Sequence, residues 1–182
     1  MKFLFVAPFL TAWCWVPHAS AELAPVDYGQ SSLGFEVRSG DRSINGIFGR
    51  WSAEIAFDLE DHEAASFAVV ADISSITLSD QIAQTMVTTA GWLAGDAFPV
   101  AAFESETVTA VGDRSYQVTG ILILRGVTAP IELAVVMHDP SDMTVADVTG
   151  QLDRTDFAIG SAFGAEIVDH LVTLNATVVF SQ

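Results

Sequence analysis

Cysteine and lysine are almost missing from this chain of 182 residues, which has one of each, Cys14 and Lys2. A lone cysteine forms no internal disulfide and offers no second thiolate for a cysteine-rich zinc site. Basic residues are scarce altogether: seven against 23 acidic ones, a net charge of −16. Such a surface repels nucleic acid and anionic lipid headgroups, and solvation is the simplest role for it. The apolar run from Phe3 to Val16 falls short of the ~20 residues of a membrane-spanning helix.

That run follows a single basic residue and ends in the small residues Ala19-Ser20-Ala21, which predicts a cleaved signal peptide over residues 1–21. Trp13 directly before Cys14 does not suit lipoprotein processing. The expected mature chain starts at Glu22, and residues 22–182 are long enough for one domain with a substantial core. Without cysteine, it must fold on that core alone. The leader predicts export to the periplasm.

What remains is dominated by alternation of period two, the mark of half-buried strands. Leu33, Phe35 and Val37 alternate with Gly34, Glu36 and Arg38; Ile55, Phe57 and Leu59 with Ala56 and Asp58. The same pattern runs through Phe67, Val69, Ala71 and Ile73, through Ile131, Leu133, Val135 and Met137, and through Val172, Leu174, Ala176, Val178 and Phe180. Ser39-Gly40-Asp41, Gly112-Asp113 and Asp139-Pro140-Ser141-Asp142 punctuate the runs as turns. The reading is an all-β, antiparallel chain of about eight strands. Gly126 suits a tight hairpin turn, Pro130 the first residue of the returning strand, and Gly46 and Gly120 bulges or bends.

One helix is expected near residues 79–93, where Ile82, Met86, Ala90 and Leu93 recur at helical spacing. Ser79 can cap its start and Gly95 follows its end. Thr85, Thr88, Thr89 and Gly91 are mediocre helix formers, so a loop with a few helical turns is the alternative. Alternation by itself leaves both a sandwich and a closed barrel open.

Signs of catalysis are sparse. His62 sits among Glu60, Asp61 and Glu63, and His138 beside Asp139-Pro140, both in turns. His170 beside Asp169 is the one candidate base, with no Ser or Cys motif near it. Gly160-Ser161-Ala162-Phe163-Gly164 departs from the nucleophile-elbow pattern. Asp139, Asp142 and Asp147 lack the glycine and terminal glutamate of a calcium loop, and Asn175-Ala176-Thr177 lies inside a strand. No catalytic residue, metal or cofactor is expected, and the chain reads as a non-enzyme.

Several ordered segments carry a family resemblance. Asp27-Tyr28-Gly29-Gln30-Ser31 through Phe35, Ile44-Asn45-Gly46-Ile47-Phe48, and Phe98-Pro99 with Ala102-Phe103-Glu104-Ser105 are three of them. Val118-Thr119-Gly120 through Arg125-Gly126-Val127-Thr128-Ala129-Pro130-Ile131 is the fullest, followed by Arg154-Thr155-Asp156-Phe157 and Val168-Asp169-His170-Leu171-Val172. Together they resemble the YceI-like family of secreted, lipocalin-like barrels. Gln30 and Ser39 stand where that family often has histidine, which points to a different head group for any ligand.

The resemblance implies a hollow barrel that holds a polyisoprenoid or quinone-like lipid. On that reading Phe35, Phe48, Phe57, Phe103, Phe157, Val172 and Leu174 wall the cavity, and Trp92 and Leu93 form a lid. Arg154 has two readings: an ion pair with Asp156 that ties down a loop, or a contact with the ligand head at the barrel mouth. The alternative function is an accessory module whose acidic face docks a membrane or redox partner. A homodimer is a further expected association, and nucleic acid is not a partner.

Overall fold

The first hairpins show how the alternation becomes a wall. In this computed structural model, which describes residues 23–57, 64–138 and 143–181, β1 (Ser32–Ser39) pairs with β2 (Arg42–Phe48) in antiparallel register. β3 (Trp51–Ala56) pairs with β4 (Ser66–Asp72), and a single turn of 3-10 helix, Ile73–Ser75, leads into the short β5 (Ile76–Leu78). Long strands follow: β6 (Val100–Gly112), β7 (Ser115–Leu124), β8 (Val127–His138), β9 (Met143–Asp153) and β10 (Leu171–Ser181). All ten belong to one antiparallel sheet in the order β3-β4-β6-β7-β8-β9-β10-β1-β2-β5. One curled sheet, rather than two packed ones, decides for the barrel-like architecture over the sandwich.

The count is ten, not eight. Part of the excess arises at Gly49-Arg50, where one extended run splits into β2 and β3 with different neighbours. Arg50 anchors that bend, donating to the Asp72 carboxylate at 2.8 and 3.0 Å and to the Ser74 hydroxyl.

Both ends of the strand order are covered. Along β3, the Ala24 N–H donates to Ile55 O and the Ala53 N–H to the Tyr28 hydroxyl. The same N-terminal segment bonds to β10, with Val26 opposite Phe180 and Asp27 N–H donating to Val179 O. Residues 24–28 thus act as a strap between β3 and β10. Along β5, the Gln84 carboxamide accepts from the Leu78 N–H and donates to Ile76 O, standing in for a neighbouring strand. Sheet edges left open are templates for unwanted pairing.

Turn chemistry follows from the residues. Arg125 and Gly126 both have positive φ, 51° and 74°, as a two-residue hairpin that follows the twist of its strands requires. Pro130 is a correction: it lies inside β8, opposite Ile121, not at the strand's start. Its missing N–H is tolerated because the ladder between β8 and β9 begins only at Leu133. Gly120 faces a β-bulge in β6 between Ser105 and Thr107, as expected, and a Cβ there would meet Phe103 and the Glu104 carbonyl. Gly46 has a different reason: the Phe35 ring lies against its Cα, where a side chain would stand.

The expected helix shrinks to α1 (Gln81–Met86). Asp80, not Ser79, caps it, its carboxylate accepting from the Ile82 and Ala83 N–H groups; Ser79 accepts instead from the Asn45 N–H. Thr85 and Thr89 donate their hydroxyls back to Ile82 O and Met86 O, the local competition that makes threonine a poor helix interior. The chain then turns, with Leu93 N–H reaching Val87 O, and Ile82 is left 74% exposed rather than buried.

Candidate functional site

Inward-facing side chains gather into two apolar clusters, and neither fills the barrel. Between them lie two cavities that share Phe48, Leu124, Leu152 and Leu174 as a waist. One, the strand lobe, has a volume of about 180 Å³ and is walled by β-strand residues alone, among them Phe67, Val69, Ala71, Ala101, Phe103 and Val118. Its space depends on small residues: Ala71 and Ala101 face each other in register across β4 and β6. Among the described residues, Asn175 is the only amide, hydroxyl or charged side chain on its lining.

The mouth lobe is larger, about 320 Å³, within the usual range of small-molecule pockets. β1, β2 and β10 supply Phe35, Val37, Ile44, Val172 and Leu174; α1 and its following turns supply Met86, Val87, Trp92 and Leu93. The segment 154–170 adds Ile159, Phe163 and Ile167. Ile82 and Ile167, 74% and 50% exposed, mark where this lobe opens to solvent. Trp92 stacks on Phe163 with ring centroids 5.5 Å apart, and the Gly160 N–H donates to Gly91 O, so the two segments covering the lobe are joined. The positive φ of Gly160 brings its backbone under the Trp92 ring, where a Cβ would lie 2.8 Å from the indole.

Of the residues expected to wall the cavity, Phe35, Phe48, Trp92, Leu93, Val172 and Leu174 line the mouth lobe. Phe103 lines the strand lobe, together with Phe48 and Leu174 at the waist. Two stand elsewhere. Phe57 directly follows β3 and packs on Tyr116 and Phe67 at the far end of the barrel. Phe157, 2% exposed, is buried in the core beneath the mouth segment.

Arg154 fits neither expectation. It is 1% exposed, and Asp156, its supposed partner, faces solvent. The guanidinium donates instead to five backbone carbonyls, those of Ile159, Gly160, Phe163, Val168 and Asp169, at 2.7–2.9 Å. An arginine has five N–H donors, so none remains for a ligand head. The segment 159–169 curls round this cation as a loop round a bound ion, and the carbonyl dipoles offset its charge. Neighbouring Asp153 is held below the ordinary aspartate range, first by the Thr155 hydroxyl and then by the Thr155 N–H.

Three further groups escaped the sequence reading. Gln84 gave no signal, since its role depends on which strand edge lies beside α1. Leu122, Leu124 and Leu152 were within reach, by carrying the parity of Ile131 and Leu133 across the paired strands. Phe163 sits in a glycine-flanked loop with no periodicity to expose it.

The residues weighed for chemistry are scattered. His138 Nε2 lies 3.3 Å from the Asp147 carboxylate on the surface. Asp169 Oδ1 accepts the Leu171 N–H, while His170 O accepts the Arg154 N–H. Among the described residues no three His, Cys, Asp or Glu side chains converge to hold a metal ion. The expected leader, His62 and the Asp139–Asp142 turn lie outside the described residues.

The profile of the YceI-like domain matches residues 25–180, nearly the whole described chain. The chain belongs to the YceI-like family. A UPF0312 protein of Pseudomonas savastanoi pv. phaseolicola is 30% identical over 106 residues, 58% of this chain and 52% of the relative. The chain therefore spans about half the length of that relative. A UPF0312 protein of Pseudomonas putida is 26% identical over 140 residues, covering 74% of this chain and 70% of its own length.

Solved structures show the same fold. BcnA of Burkholderia cenocepacia superposes with a TM-score of 0.80 at 23% identity, covering 85% of this chain and 99% of its own. A polyisoprenoid-binding domain from Saccharophagus degradans, implicated in plant cell wall breakdown, gives a TM-score of 0.65 at 14% identity, covering 89% and 99%. Like these solved structures, then, this chain is an all-β, curled antiparallel sheet.

Proposed function

We propose that this YceI-like protein binds a long apolar lipid of the polyisoprenoid or quinone-like class and shields it inside the barrel. The observation that carries the reading is the pair of apolar lobes that share Phe48, Leu124, Leu152 and Leu174 in their walls. An elongated tail fits such a shape better than a compact ligand does. Burial supplies the affinity: each CH₂ removed from water contributes about 0.8 kcal/mol, so a prenyl tail needs no catalytic group to be held. The fold shared with the Saccharophagus degradans polyisoprenoid-binding domain supports the same class of ligand. On this proposal the leader delivers the protein to the periplasm, where it carries lipid, and release requires α1 or the segment 154–170 to part at Trp92 and Phe163.

Native mass spectrometry of protein purified from its natural periplasm, followed by organic extraction, tests the proposal. A bound polyprenyl or quinone mass is the expected result. A bare chain mass, under conditions that keep apolar ligands bound, overturns it in favour of a docking module. Ala101→Phe sharpens the test by filling the strand lobe, and should weaken long tails far more than short ones.

A further inference from the structure

Besides the Trp92 indole, four polar side chains reach the lining of the mouth lobe: Ser39, Arg42, Asp80 and Arg154. Most of their hydrogen-bonding capacity is engaged. Arg154 has all five donors on carbonyls, and Ser39 donates its hydroxyl to Ile167 O at 2.8 Å. Asp80 Oδ1 accepts both the Ile82 and Ala83 N–H groups at 2.9 Å. What is left on the lining is the remaining oxygen, Asp80 Oδ2, and the Arg42 guanidinium 3.5 Å away. Arg42 is 75% exposed at its side chain, and 3.5 Å is too long for a strong charge-assisted bond.

A loose pair of this kind offers one acceptor and several donors side by side. A hydroxyl group satisfies both together, its oxygen accepting from Arg42 and its proton going to Asp80 Oδ2. A phosphate ester satisfies only Arg42. It has mostly lost its last proton at neutral pH, and its negative charge meets the Asp80 carboxylate in a chain whose net charge is already −16. The Ala83 N–H, the first cause, holds the Asp80 carboxyl below the ordinary aspartate range, so it stays an ionised acceptor. At the other end, the strand lobe offers a head group only Asn175. The tail therefore enters and the head stays at the mouth.

We infer that Arg42 and Asp80 form a head-group site that selects an uncharged, hydroxyl-bearing lipid over its phosphorylated form. This deepens the lipid-binding proposal and rests on it. Geranylgeraniol and geranylgeranyl monophosphate, which share one tail, are the probes, titrated into delipidated protein and followed by tryptophan fluorescence. The expected preference for the alcohol is about fivefold, the upper range for an exposed charge interaction. Asp80→Asn, which keeps a good helix cap, should erase that preference; Asp41→Asn, which removes a nearby charge outside the site, should leave it. Equal or tighter binding of the phosphate by the unaltered protein overturns the inference, as does an Asp41→Asn effect equal to that of Asp80→Asn. If neither probe binds, the lipid-binding proposal itself falls.

Discussion

At the far end of the barrel, Phe57, Phe67, Tyr116 and Phe180 interlock between regular strands; at the mouth, the segment 154–170 has no ladder and closes round one arginine. The far end is held by area. Phe180 is fully buried and Val118 nearly so, and hydrogen bonding there is the ordinary strand ladder. The mouth segment lacks that solution, because it pairs with no neighbouring strand. Its carbonyls are instead collected by Arg154, and its outer contacts by Arg125, which reaches Ala90 O and Phe157 O from the hairpin turn. A hollow protein therefore mixes two kinds of order, ladders and dispersive packing where strands form the wall and polar stitching where an irregular segment covers it.

Substitutions at the two ends set them against each other. Arg154→Ala should have the largest effect, on the order of 5 kcal/mol in a denaturant titration, since five carbonyls, most of them buried, lose their donor at once. Arg154→Lys, with three donors for five acceptors, should fall between that and the unaltered protein. Phe180→Ala should follow at about 4 kcal/mol, the cost of a cavity at a fully buried aromatic. If Arg154→Ala proves the milder of the two, polar stitching is not what holds the mouth.

Gln84→Ala should cost only about 1 kcal/mol, for two hydrogen bonds at a half-buried edge, yet raise amide exchange at Leu78 specifically. Acid provides the smallest and most gradual effect. Asp27, Asp72, Asp80 and Asp153 are all held below the ordinary aspartate range, by hydrogen bonds from Gln30, Ser74, Ala83 and Thr155 in turn. The unfolded chain therefore takes up protons before the folded one as the pH falls. Their stabilisation is complete above the unfolded value of about 3.9 and is lost as the pH drops further. The thermal midpoint should stay level down to about pH 5 and decline below about pH 4, and Asp153→Asn should shallow that decline.

Much of the fold was legible because a strand writes its burial directly into alternate residues. Phe35, Val172 and Leu174 face the cavity for the reason their spacing gives. The misses share a cause. Arg154 and Asp156 look like an ion pair when two residues apart in sequence, but Arg154 is placed by carbonyls, which every residue possesses and no sequence marks. Phe57 has the right parity and the wrong height along the barrel, a quantity that depends on register between strands. The helix falls short of its pattern because apolar spacing outlasts α1 by several residues, while the threonine hydroxyls compete for its backbone carbonyls.

The strap and β10 also set the order in which this chain can become a barrel. β10 is the last of the described strands, and it pairs with β9, β1 and the strap, bringing Val26 opposite Phe180 and Ser32 opposite Thr177. Contacts so distant in sequence are slow to form, and here the wall cannot be sealed before the final strand is available. Until then the free edges of β1 and β9 are both exposed. A chain synthesised from its N-terminus therefore passes through an unsealed sheet, and in that interval it most needs protection from pairing with its neighbours.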